Sequence, residues 1–129
     1  MKHTVVLTAL CAILAASSAW AEKPPASAHK ATLDEFKTLA DGKTVAATIY
    51  DAGQPVTATL VWSWKKKNIT GSASVGGKKI KVKTKLSFKG DQACAVDGGK
   101  TKCHAIFIDG AIFYEVKDDG EVHAKSVVQ

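Results

Sequence analysis

Residues 92–109 read QACAVDGGKTKCHAIFID, two short runs on either side of Gly98-Gly99. Paired glycines accept positive φ at both central positions of a tight turn, so this stretch predicts a β-hairpin with a two-residue loop. Counting outward, Asp97 opposes Lys100 and Cys94 opposes Cys103. Cys94 and Cys103 then occupy a non-hydrogen-bonded site, where backbones approach to roughly 4.5 Å, within reach of a disulfide. The predicted Cys94–Cys103 bond closes a loop of about ten residues and contributes roughly 2 to 3 kcal/mol by restricting the unfolded chain. The C-x-x-C spacing of redox pairs is absent, so the bond reads as a structural staple.

A disulfide of this kind persists in an oxidising compartment, and the start of the chain supplies the route there. Lys2 is followed by an apolar run from Val5 to Ala19, and Ala19-Trp20-Ala21 has the small residues a signal peptidase requires. Residues 1–21 therefore read as a signal peptide cleaved after Ala21, which removes Cys11, and the protein is expected in the periplasm or secreted. Of 129 residues, 108 remain, with 17 lysines, no arginine and 12 acidic side chains, a net charge of about +5. A hydrophobic fraction of 46% excludes a disordered chain. No second apolar stretch is long enough to span a bilayer, so no transmembrane span is expected after cleavage.

Residues 22–31, rich in Ala, Pro and Lys, read as a flexible arm, and 32–129 as one domain. Thr32-Leu33-Asp34-Glu35 is a capping box opening a short helix with Leu33, Phe36, Leu39 and Ala40 on one face, stopped by Gly42. From Lys43 the hydrophobic period changes to two, with turn signals every eight to twelve residues. A tip at Ala52-Gly53 pairs Ile49 with Val56 and Val45 with Leu60; a loop over Lys65 to Asn68 pairs Trp64 with Ile69 and Trp62 with Gly71. The Gly76-Gly77 turn pairs Gly71 with Val82 and sets Thr70, Ser72 and Ser74 against Lys83, Lys81 and Lys79. An Asp109-Gly110 turn pairs Phe107 with Ile112, and a loop at Asp118 to Gly120 pairs Val116 with Val122. Eight antiparallel strands in sequence order predict a mainly all-β fold: an up-and-down barrel or curled sheet, with the helix as lid or plug.

Three groups of residues carry candidate functions. Lys65, Lys66 and Lys67 lie in one loop, Lys79, Lys81, Lys83 and Lys85 project from one strand, and residues 65–89 hold nine lysines and no acid. This is the composition of a polyanion-binding surface or of a site for an acidic protein. The plainer reading is a solvated face whose repeated charge deters edge pairing. The tryptophans fall on the opposite, inward phase and no arginine is present, which argues against nucleic acid.

His104, Glu115 and His123 line up across the last three strands on what reads as the outer face, enough donors for a metal ion or an acid–base pair. The two histidines would begin about 9 to 10 Å apart at the backbone, so a polar ladder is the simpler account. Ile106, Ile108 and Phe113 share that outer face and require a cover, either the helix or a partner protein. Trp62, Trp64, Tyr114, Phe88 and Phe107 are then expected inside, filling the core or bounding a small apolar pocket.

Nucleophile elbows, phosphate loops, dinucleotide fingerprints and metalloprotease motifs are absent, so neither enzymatic activity nor a cofactor is expected. Gly90-Asp91-Gln92-Ala93-Cys94 through Cys103, Asp109-Gly110 and Tyr114-Glu115-Val116 resemble the C-terminal half of small exported β-rich proteins of proteobacteria with a disulfide hairpin. The resemblance implies an exported β-rich domain. Together these features predict an exported, non-enzymatic binding module, monomeric or weakly dimeric, acting through its surface or a small pocket. The alternatives are an inhibitor or immunity-type partner protein using the Ile106, Ile108 and Phe113 patch, and a metal-binding protein or enzyme using His104, Glu115 and His123.

Overall fold

The computed structural model describes residues 22–129, and the signal peptide expected over residues 1–21 lies outside the described residues. Its one helix, α1 (Leu33–Ala40), begins as the capping box requires: the Glu35 amide donates to Thr32 Oγ1 at 3.2 Å and the Thr32 amide to Glu35 Oε1 at 3.2 Å. Asp41 caps its end and Gly42, at φ +73°, turns the chain into the sheet. Nine strands form: β1 (His29–Lys30), β2 (Thr44–Ile49), β3 (Val56–Ser63), β4 (Asn68–Val75), β5 (Lys78–Lys89), β6 (Gln92–Asp97), β7 (Lys100–Asp109), β8 (Ile112–Val116) and β9 (Val122–Val128). Strands β2 to β9 pair antiparallel with their sequence neighbours, and β9 returns to β2 through pairs such as Val45 with Val128. The result is a closed eight-stranded up-and-down barrel with one extra strand.

Helix α1 plugs one end. Phe36 is fully buried, with its ring centroid 5.2 Å from Trp62, 5.1 Å from Trp64 and 4.8 Å from Phe113, all edge to face. Around it Val45, Leu60, Ile69, Leu86, Ile106 and Ile108 fill the interior. Apolar burial of this extent is the main stabilising term for a small barrel. The Trp62 indole N–H, buried here, has no conventional acceptor.

Turn chemistry set most registers as expected, including Ile49 with Val56, Gly71 with Val82 and Cys94 with Cys103. Two turns differ. Ser63 pairs with Asn68 around Trp64 to Lys67, so Leu60, not Trp62, faces Gly71. Asp109 pairs with Ile112 around Gly110-Ala111, with Gly110 at φ +60°. Each slip is two residues, which preserves the face of every side chain.

The inward and outward faces of β7 and β8 are the reverse of those expected, and so is the face of Val122 at the start of β9; from Ala124 onward β9 keeps its expected inward phase, with Ala124, Ser126 and Val128 beside Ile49, Ala47 and Val45. Ile106 is 1% exposed, Ile108 8% and Phe113 0%, all within the interior, so they form no outer patch. Tyr114 and Phe107 lie instead in a second cluster on the outside, with Val116, Val122, Tyr50 and Ala28. The cause is the N-terminal arm, which is not free. Its backbone takes the Val122 amide at Glu22 O (2.8 Å), the Ser27 hydroxyl donates to Asp109 at 2.7 Å, and the Ala31 amide donates to Ile106 O at 2.8 Å. Strand β1 then occupies the β7 edge beyond the point where β6 ends, pairing His29 with Ile108. With both faces of these strands covered, both carry apolar residues, and alternation alone does not distinguish them.

Candidate functional site

The lysines lie where the strand pattern puts them. Lys79, Lys81, Lys83 and Lys85 stand opposite Ser74, Ser72, Thr70 and Asn68 on the outer side of β4 and β5, all four exposed. Lys65, Lys66 and Lys67 are exposed in the β3–β4 turn, which Lys67 helps close with φ +52°. The fold adds a groove of about 570 Å³ across the outer faces of β3, β4 and β5. Lys66, Lys81 and Lys83 line it with Ser63, Asn68 and Thr70, bringing three ammonium groups together with two hydroxyls and an amide. Lys79 belongs to a neighbouring groove with Thr57, Thr59, Ser72 and Ser74, while Lys65, Lys67 and Lys85 line neither.

No lysine between positions 65 and 89 makes a salt bridge among the described residues; the lysines that do are Lys102 and Lys117. The groove is therefore an uncompensated cationic surface, with polar donors between the charges, suited to anionic groups along an extended ligand. Sequence alternation places the strand lysines on one face, but the inclusion of Lys66 depends on the β3–β4 turn, where the Lys66 amide donates to Ser63 Oγ at 3.0 Å. Trp62 is buried, and Trp64 stacks on Phe88 at 5.2 Å beside the plug, so neither indole joins the lysines.

His104, Glu115 and His123 do come together, at the barrel end opposite α1, but not as an outer ladder. Glu115 follows Phe113 by two residues and shares its inward phase, and His104 precedes Ile106 in the same way. A bulge between Glu115 and Val116 pairs Glu115 with Ala124 and Val116 with Val122, leaving His123 as the extra residue. The His123 ring stacks on His104 with centroids 4.3 Å apart, and its Nδ1 donates to Asp51 Oδ1 at 2.5 Å. Asp51, from the β2–β3 loop, also lies 3.8 Å from Lys117.

Burial pushes the Glu115 carboxyl up to about 7, with His123 opposing and Asp51 adding to the rise. Burial, with His123 second, pushes His104 down to about 4. Near neutral pH the Glu115 carboxyl is therefore partly protonated and the His104 imidazole neutral. No group of three or more His, Cys, Asp and Glu side chains among the described residues is arranged to hold a metal ion. Stacked rings explain this, because their in-plane lone pairs run parallel and do not converge. Neither of the two grooves that hold Lys66 and Lys79 is lined by these residues.

Cys94 and Cys103 are bonded across the β6–β7 hairpin with Cα atoms 4.0 Å apart. Ile106, Ile108 and Phe113, expected as a partner patch, are interior residues of the plugged end, in contact with the helix that was one of their two expected covers. No helix among the described residues is long and apolar enough to cross a membrane. Comparison with known proteins finds no matching family model, no matching curated protein and no matching solved structure.

Proposed function

We propose that this protein is an exported binding module that captures polyanionic partners on the outer face of β3, β4 and β5. The observation that carries this reading is the groove of Lys66, Lys81 and Lys83 with Ser63, Asn68 and Thr70, which holds no acidic side chain. The structural Cys94–Cys103 bond is compatible with export, and the packed interior supports contact through the surface. Lysine ammonium groups act as mobile point charges, so the face favours anionic polymers with regularly spaced charge over one shaped small anion. A protein-inhibitor reading loses the apolar patch it relied on, since those side chains are buried.

Titration with polyglutamate and with a sulfated polysaccharide tests the proposal. Binding of either polymer weakens steeply between 50 and 200 mM salt, and Lys81→Glu with Lys83→Glu abolishes it, on the principle that exposed charge contacts are screened over about 8 to 10 Å. Salt-insensitive binding, or binding unchanged in the double variant, overturns the reading.

A further inference from the structure

Strand β5 is twelve residues long, and its two edges are not equally used. Toward β4 it pairs continuously from Lys78 to Lys85; toward β6 it pairs only from Leu86 to Lys89. At the point of divergence the Thr84 hydroxyl donates to Val96 O at 2.8 Å and accepts from the Val96 amide at 3.2 Å, so a side chain replaces the next rung of the ladder. Beyond it β6 ends at Asp97 and turns into β7, and the edge of β5 from Lys78 to Lys83 has no strand paired with it. An unpaired run of this kind, roughly 20 Å long at 3.3 Å per residue, presents main-chain donors and acceptors for one more strand.

The three exposed large apolar residues among the described residues, Val75, Ile80 and Val96, all lie on the β4–β5 and β6–β7 hairpins, with Ile80 49% exposed. Along β5 the inward phase carries Ile80 and Val82, and the outward phase Lys79, Lys81 and Lys83. A strand laid on this edge would meet apolar side chains on one of its faces and ammonium groups on the other. We infer that the edge accepts an extended acidic segment of another protein, with acidic residues alternating with apolar ones, by β-strand addition. This rests on the polyanion reading and specifies both the ligand class and the manner of binding. A second copy of the chain is the wrong occupant: β5 against β5 sets lysine beside lysine, and like charges across a strand pair repel.

The test uses the disulfide-bonded protein and a ten-residue peptide alternating glutamate with valine, beside the same peptide N-methylated at every amide. N-methylation keeps the charge and side chains but removes strand hydrogen bonds. Binding of the unmodified peptide, at least about tenfold tighter than its methylated form, with amide-exchange protection at Lys78 to Lys83, is the expected result. Equal binding of both peptides without protection overturns strand addition and leaves the polyanion reading standing. Binding of a sulfated polysaccharide but of neither peptide also overturns it, since the anion is then not a polypeptide. Failure of every polyanion to bind removes both.

Discussion

His104 and His123 lie face to face, ring centroids 4.3 Å apart and planes within 11° of parallel, because the bulge in β9 makes His123 the unpaired extra residue. The same bulge puts His123 within hydrogen-bonding reach of Asp51 and near the inward Glu115. One irregularity in one strand pair thus builds the polar end of the barrel.

That cluster has opposing pH signatures. Glu115 is raised to about 7 by burial, so the folded state holds its proton more tightly than the unfolded state; this group lowers stability as pH rises from about 4.5 to 7. His104 is lowered to about 4, so the unfolded state holds its proton more tightly; this group raises stability as pH rises from about 4 to 6.5. In the native protein the two slopes offset between about pH 4.5 and 6.5. Urea unfolding of Glu115→Gln will show stability falling on acidification through that window, and His104→Gln will show it falling on alkalinisation, each by roughly 2 kcal/mol. Parallel pH profiles for the native protein and both variants would contradict the assignment.

Phe36 is the plug. Phe36→Ala removes a fully buried ring that touches Trp62, Trp64 and Phe113, and should cost roughly 3 to 5 kcal/mol. Leu33→Ala, at a half-buried position on the same helix, should cost about 1 kcal/mol. Denaturant midpoints of the two variants will separate accordingly; similar midpoints would mean that α1 does not close the barrel through Phe36.

Gly71 is required by close approach. A Cβ built there runs into the Thr59 carbonyl oxygen and comes within 3.0 Å of Leu60 Cα, and the residue adopts φ +150°. Gly71→Ala should therefore destabilise by roughly 2 to 4 kcal/mol, read as a lowered melting temperature. Gly77→Ala makes no such contact within 4 Å, although its φ of +82° disfavours a side chain, and should cost about 1 kcal/mol.

Reduction of Cys94–Cys103 should lower stability by roughly 2 to 3 kcal/mol, with the barrel still folded, because the bond closes a short loop within one hairpin. Far-ultraviolet circular dichroism before and after reduction checks that the strands persist, and urea midpoints give the cost.

Much of this architecture was legible where turn chemistry is strong. The capping box at Thr32 and Glu35, the double glycines at Gly76-Gly77 and Gly98-Gly99, and the opposed cysteines each specify local geometry through φ, hydrogen bonds or distance. The faces of β7 and β8 invert the sequence expectation because Phe107 and Tyr114 are as apolar as Ile106, Ile108 and Phe113, and the arm that covers the outer set carries no periodic signal. A usable signal was present in the pairs across the Gly90-Asp91 turn. Phe88 inside places Ala93 inside, and Ala93 opposite His104 places the even positions of β7 inside. The bulge that gathers His104, Glu115 and His123, and the Thr84 side chain that parts β5 from β6, replace main-chain pairing with local irregularity, for which strand periodicity has no symbol.

If the groove of Lys66, Lys81 and Lys83 is the contact surface, lysine-selective acetylation with and without polyglutamate will reveal it. Protection of Lys66, Lys81 and Lys83, with Lys30 and Lys100 on other strands remaining reactive, is the predicted result. Uniform protection of all lysines, or protection that leaves those three reactive, would contradict it.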